Sequence, residues 1–495
     1  MIKNETYKQS GKEAFHILIC LIQVWDYSKE NFMKPPKNCL EIAEVESIQV
    51  SDSYKQLINK ATVRFPRGTV IRKTSETIEE VKKDAEKVDA TLDSHGVLLT
   101  TRKTYSQAAT VTDFAYGKRI RIFVGYTTDP RIASLPKFNA QTRKSIFNDD
   151  SLHQEYFDAI KGSGPIFDGY ITRCSIDTPI EIECEDLASV LKQYNAPNIP
   201  KPKELTVNDL LADDGKYHML KDTGFTLAPA TKSCNINIGK AEFNRDLTVA
   251  DVLTTWTKFK LFSYVWVKYD DDMGGTPYIV VGRSYFSNGG KDSILKQREE
   301  QGYAREYEIY FNYNVAANGL SLTESNKDFL CIQGQSMDKN GKFYSLTLRI
   351  NPEWHEGDPP KDKWQILNEV TLSKKMQRMG ATVMSKGKNK VDLNRYTVVP
   401  YMSAKIGATH EELLQELIQY YEAFNMNGIQ GNLTLFGDLQ LRSGCKVHLY
   451  DDYYPAKNGV YFVDEVTTQF GNGGFRQVIK LPYLISSDSK DEANK

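Results

Sequence analysis

Residues Pro165–Leu191, PIFDGYITRCSIDTPIEIECEDLASVL, limit the possible fold more than any other stretch of the chain. Ile180, Ile182 and Cys184 alternate with Glu181, Glu183 and Glu185, the two-residue period of a half-buried strand. Asp168–Arg173 reads as its partner strand, Asp177-Thr178-Pro179 as the turn between them, and the end of the stretch as the start of a helix. Gly169 interrupts the first strand where a side chain is expected, which marks a bulge, a bend or a close backbone approach. The chain is therefore built around antiparallel β-structure.

The 495 residues suffice for about three or four domains. Lys and Arg number 63 against 64 Asp and Glu, so no global field draws nucleic acid or an anionic membrane. The 28 Tyr and 22 Phe suit β-rich structure and protein contact surfaces. Seven cysteines, at 20, 39, 174, 184, 234, 331 and 445, form no CxxC pair. That spacing argues against a disulfide framework or a zinc site and for a reducing compartment. Phe15–Trp25, FHILICLIQVW, is too short to span a bilayer and no small-residue cleavage site follows it. It reads as a buried or partner-paired strand, and no membrane span is expected.

Residues 1–40 read as an N-terminal extension and 41–194 as a first β-domain, with strands at Glu41–Val50, Ala61–Pro66 and Gly117–Tyr126. A helical insertion at 77–93 and a long polar loop at 129–164 interrupt it. Asn195–Lys203, with three prolines, reads as a linker. An α/β unit is expected over 204–290, where Thr206 and Thr248 each sit three residues before an Asp and cap a helix. Its strands Phe262–Tyr269 and Pro277–Gly282 form a hairpin around Asp270–Gly275, whose acidic tip lacks EF-hand spacing. Residues 300–400 read as mixed and β-rich, with a basic run over Lys374–Arg395 that includes Lys386, Lys388 and Lys390. Such a run is a solvated loop or a contact for an acidic partner surface. A last domain, 401–485, opens with a helix over 410–424 capped by Thr409 and Glu412. Strands follow at Asn432–Phe436, Leu439–Leu441, Lys446–Tyr450, Val460–Val466 and Phe475–Leu481, and 486–495 is a polar tail.

The two ends of the chain echo each other. Gly117-Lys118-Arg119-Ile120-Arg121-Ile122 matches Gly444-Cys445-Lys446-Val447-His448-Leu449 in plan. Each is followed by a glycine-containing strand, Asp168–Arg173 in one case and Asn458–Val463 in the other. Two small antiparallel barrels of similar design account for this.

With the domain order, these motifs resemble the baseplate hub proteins of phage tails, a family that includes the late-control D proteins and is related to the hub part of type VI secretion spike proteins. The resemblance rests on Phe167, Gly169 and Ile171, and on Gly444, Val447, Leu449, Asn458, Gly459, Tyr461 and Val463. It implies a mainly β fold: two similar tail-tube-like β-barrels with α/β domains between them. It also implies a homotrimeric ring that adapts a six-fold tail tube to a three-fold spike. One face would meet the tube or a distal tail protein and the other a separate spike or tip protein. DNA would pass through the lumen without sequence-specific binding, and the site of action would be the virion tail, assembled in the host cytoplasm.

The catalytic inventory points away from an enzyme. The seven histidines stand apart, and the sequence holds no HExxH, GxSxG or phosphate-binding Gly-Lys-Ser/Thr loop. Glu183, Glu185 and Asp186 could serve as acid and base, yet alternate carboxylates on a strand face are commonly solvating. No cofactor or metal is expected. The alternative is a carbohydrate-binding or adhesive β-module that uses tyrosine faces as stacking platforms.

Overall fold

The computed structural model describes residues 16–487, apart from 74–105, 284–291, 355–362, 385–391 and briefer interior stretches. The expected 77–93 helix and Lys386, Lys388 and Lys390 lie outside the described residues.

The first segment contributes β1 (Ile17–Trp25), β2 (Leu40–Ile42), β3 (Ser47–Ser53), β4 (Lys60–Phe65), β5 (Val70–Lys73), β6 (Ser106–Ala108), β7 (Arg119–Thr127), β8 (Phe167–Cys174) and β9 (Ile180–Asp186). All nine lie in one mixed-origin sheet, and β1 pairs antiparallel with β7 along its whole length, from Ile17 opposite Thr127 to Trp25 opposite Arg119. Residues 17–25 are thus an interior strand and not part of an extension. Their unbroken apolarity has a physical cause. Cys20, Ile22 and Val24 face one core with Ile120, Ile122 and Ile182, while Ile19 and Leu21 face a second core on the opposite side.

That second core corrects the reading of 129–164 as a polar loop. It holds two helices, α1 (Pro130–Ser134) and α2 (Asp150–Lys161), the latter capped by Asp149 accepting from the N–H groups of Ser151 and Leu152. Tyr156 and Ile160 of α2 bury against Phe123 and Leu21. The Tyr156 hydroxyl donates to the Cys20 carbonyl at 3.0 Å and accepts from the Cys20 N–H at 3.3 Å.

The middle of the chain supplies β10 (Ile199–Thr206), β11 (Thr226–Leu227), β12 (Asn237–Phe243), β13 (Leu261–Tyr269) and β14 (Gly275–Arg283). Residues 199–203, read as linker, instead pair with β12. Both expected caps form: α3 (Val207–Leu211) and α4 (Val249–Thr255) each begin with a complete capping box, Thr206 with Asp209 and Thr248 with Asp251. Their apolar faces share one core with Leu187, Leu191, Leu261 and Ile279.

Beyond residue 300 come β15 (Tyr307–Tyr310), β16 (Val315–Thr323), β17 (Leu330–Met337), β18 (Phe343–Ile350), β19 (Trp364–Ile366), β20 (Ala381–Val383) and β21 (Thr397–Met402). The last five make a separate sheet in the order β20-β19-β18-β17-β21. The helix His410–Phe424 packs on this sheet through Leu413, Leu414, Leu417 and Tyr421, so its core belongs with 330–402 and not with the strands that follow it. Those are β22 (Gly428–Phe436), β23 (Lys446–Tyr450), β24 (Gly459–Phe462), β25 (Glu465–Gly471), β26 (Gly474–Leu481) and β27 (Tyr483–Ser487). Leu439–Leu441, expected as a strand, forms none.

The protein is mainly β, as expected, but among the described residues its strands form open sheets and no closed barrel. At the C-terminal end a four-stranded sheet, β15-β23-β24-β27, faces β22, β25 and β26 across a core of Val447, Leu449, Tyr461, Leu433, Val466 and Ile479. The other end is the nine-strand run around Ile22, Val63, Ile122 and Ile171. The two ends join edge to edge. β25 pairs antiparallel with β3, from Glu465 opposite Ser53 to Gly471 opposite Ser47, and the result is one 13-stranded sheet, β16-β22-β26-β25-β3-β4-β9-β8-β7-β1-β2-β5-β6.

Candidate assembly site at the junction of the two ends

The echo seen in the sequence is built as the same turn twice. Gly117 and Gly444 both have positive φ, +84° and +83°, which only glycine adopts without strain. The Gly117 N–H donates to the Ile171 carbonyl at 2.8 Å, and the Ile171 N–H donates back to Lys118 at 2.9 Å. The Gly444 N–H donates to the Val463 carbonyl at 2.8 Å, and the Val463 N–H donates back to Cys445 at 2.9 Å. The register continues alike, Arg119 opposite Tyr170 and Lys446 opposite Phe462, then Ile120 opposite Gly169 and Val447 opposite Tyr461. Phe114 and Leu441, each three residues before its glycine, are both buried.

This register corrects one correspondence. Ile171 matches Val463, so Gly169 matches Tyr461, and the two strand glycines are not equivalent. Gly169 is a close-approach site: a Cβ there would lie 2.1 Å from the Glu185 carbonyl oxygen of β9. Gly459 sits opposite Leu449 at φ +148°. A Cβ on Gly444 would meet the Ile294 side chain at 2.7 Å. Phe167, Ile171, Val447, Leu449, Tyr461 and Val463 are buried core residues. Asn458 accepts from the Asp451 N–H at 2.6 Å, and the Tyr461 hydroxyl donates to the Lys457 carbonyl at 2.9 Å, closing the loop between β23 and β24. The structure therefore places the ten motif residues in two framework sites, three of them in β8 and seven around β23–β24.

Side chains reinforce the β3–β25 seam. Asp464 accepts from the Tyr54 hydroxyl at 2.9 Å and pairs with Lys55 at 2.6 Å. Arg442 donates to the carbonyls of Ile166 at 3.0 Å and Pro165 at 2.9 Å, while the Ser443 N–H donates to Asp52 at 2.8 Å. The Tyr126 hydroxyl reaches the Phe475 carbonyl at 2.9 Å.

A second feature escaped the sequence reading. Arg119 and Arg121, which alternate with the core isoleucines of β7, are fully buried on its other face. Asp168 pairs with both, at 2.6 Å to Arg119 and 3.0 Å to Arg121. Backbone carbonyls supply the remaining acceptors: Phe32 and Gly169 for Arg119, Met33 and Met273 for Arg121. The guanidinium groups also lie over the rings of Trp25, Tyr170 and Tyr269. The Tyr269 hydroxyl donates to Asp168 at 3.0 Å, and burial beside that carboxylate holds the phenol well above its ordinary pKa. The cluster fixes the 32–33 segment and the 270–274 hairpin tip to the first sheet. The available signal was the cation pair Arg119/Arg121 facing the one acid of the Phe-Asp-Gly motif.

Beside this cluster a cavity of about 110 Å³ is lined by Asp52, Asp168, Asp186, Arg298, Arg442 and Tyr269, among others. Asp186 accepts from the N–H groups of Asn59 at 2.8 Å and Ala188 at 3.0 Å. Desolvation is the largest influence on it, with Asp52 nearby, and pushes its carboxyl up to about 7. The other two candidate acid–base groups are engaged in ion pairs, Glu183 with Arg173 at 3.1 Å and Glu185 with Lys192 at 2.7 Å. Among the described residues no group of three or more His, Cys, Asp or Glu could hold a metal ion, and no helix is long and apolar enough to cross a membrane.

No family model matches the sequence. No curated protein matches it either. Solved structures similar to it include a tail protein from Neisseria meningitidis MC58, at 11% identity and TM-score 0.44 over 93% of this chain and 96% of that one. They also include the 43 kDa tail protein of prophage MuSo2 from Shewanella oneidensis, at 10% identity and TM-score 0.40 over 94% and 98%. A third is a type VI secretion component from E. coli described as structurally similar to T4 bacteriophage tail proteins, at 9% identity and TM-score 0.38 over 90% and 74%.

Proposed function

We infer that this chain is a structural hub protein of a phage tail or a related injection machine. The observation that carries this reading is the repeated turn. Gly117 with Ile171 and Gly444 with Val463 set two like strand pairs at opposite ends of the chain, and those ends share a sheet through β3 and β25. One chain with two like units presents six of them when three copies close into a ring, so a trimer can meet a six-fold tube on one face and a three-fold spike on the other. Genome passage requires a lumen without dense cation clusters, and net charge −1 with Arg119 and Arg121 buried is compatible with such a wall. The packed carboxylates and framework glycines of the junction serve positioning, in keeping with a non-enzymatic role.

The experiment is the native mass of the purified protein under reducing conditions, with and without a chelator. The reading predicts a homotrimer insensitive to the chelator. A monomer at micromolar concentration contradicts it.

A further inference from the structure

Two oppositely charged faces remain unabsorbed by this account. One lies on the outer face of β15 and β23 and the loop after it. Tyr310 stacks on Tyr450 with ring centroids 5.1 Å apart, and Tyr450 stacks on His448 at 4.2 Å. Glu306, Glu308 and Asp452 stand exposed around this ladder. Tyr453 and Tyr454 project next to it, 76% and 66% exposed. Lys457 pairs with Asp451 at 2.7 Å, Glu306 meets the His448 ring at 2.7 Å, and Lys446 shares the outward face of β23, so four carboxylates against two lysines leave the surplus charge of the face negative.

The other face is the short helix Lys374–Arg378. Met376 anchors it in the core of the five-stranded sheet, which leaves Lys374, Lys375 and Arg378 turned outward and exposed. Among the described residues none of these three forms an ion pair with a carboxylate, and no ion pair joins this helix to the tyrosine face.

We propose that the occupant of the acidic tyrosine face is a second copy of this chain, docked through its Lys374, Lys375 and Arg378. Charge complementarity selects it, because carboxylates at the edge pair with the cations while tyrosine rings receive their stems and heads. The chain already makes this contact internally: Lys457 lies 4.1 Å from the Phe311 ring centre and 4.6 Å from that of Tyr454. The two faces are different surfaces of one subunit, so the contact is head-to-tail and repeats from copy to copy around a ring. The proposal rests on the oligomeric hub reading and names the contact that holds the oligomer.

The test compares oligomer mass in wild type, in Lys374→Glu/Lys375→Glu/Arg378→Glu and in Glu306→Lys/Glu308→Lys/Asp452→Lys, at low and high ionic strength, with melting temperature as the folding control. Each triple variant should be a folded monomer, and the wild-type oligomer should weaken as salt rises. An equimolar mixture of the two variants should re-associate, because one variant then carries two acidic faces and the other two basic faces, and each contact joins opposite charges. A variant that keeps the wild-type oligomer, or a mixture that stays monomeric, overturns this contact while the hub reading stands. A wild-type monomer at every salt concentration overturns both.

Discussion

At position 168 one carboxylate answers to two guanidinium groups, and all three are shut away from water. A buried charge pair contributes little net stability when intact but is costly to break, about 3–5 kcal/mol when one partner is removed. Asp168→Ala should therefore lower unfolding free energy by about that amount in a denaturant titration, and a loss under about 1 kcal/mol would show that the four carbonyls alone suffice. Gly169 makes a different demand, since any side chain there collides with the β9 backbone. Gly169→Val should cost about 1–3 kcal/mol and reduce assembly, with wild-type yield and melting temperature as the contrary result. Asp186 gives a pH dependence. Its folded pKa of about 7 lies above the unfolded carboxylate value, so the folded state holds the extra proton between the two. Its stabilising contribution is present at low pH and lost as pH rises through about 7. The stability of wild type relative to Asp186→Asn should fall across that range in urea midpoints measured at several pH values, and a rise would reverse the assignment.

At the scale of elements, local signals are legible in the sequence and non-local ones are not. Strand β23 appears where its alternation places it, and the capping boxes at Thr206, Thr248 and Thr409 form because their donors and acceptors sit three residues apart. Residues 129–164 read as a loop because polar residues outnumber the apolar ones of α2, whose stripe packs on residues of other elements, Phe123 and Leu21 among them. Burial of Arg119 and Arg121 was illegible for the same reason: the carbonyls that solvate them come from Phe32, Met33 and Met273. The α2 docking has a simple test. Tyr156→Phe removes both hydrogen bonds to the Cys20 backbone and should cost about 1–2 kcal/mol, with faster amide exchange over 150–161. Unchanged exchange would mean that apolar packing alone holds the helix.

For the whole molecule, the sequence echo foretold the repeated turn but not the relation of its two copies. The seam between β3 and β25 links residues more than half the chain apart, and nothing local in either strand announces its partner. Among the described residues the sheets stay open, and the 13-stranded sheet ends at β16 and β6. Such edges invite further pairing, and a ring of copies is one way to cover them. The most direct test of the account is a three-dimensional reconstruction of the purified oligomer by electron microscopy. The hub reading predicts three copies around an open lumen, with the β7–β8 and β23–β24 units at one height and alternating round the ring. A ring in which these units lie at different heights, or a particle with no lumen, would contradict it.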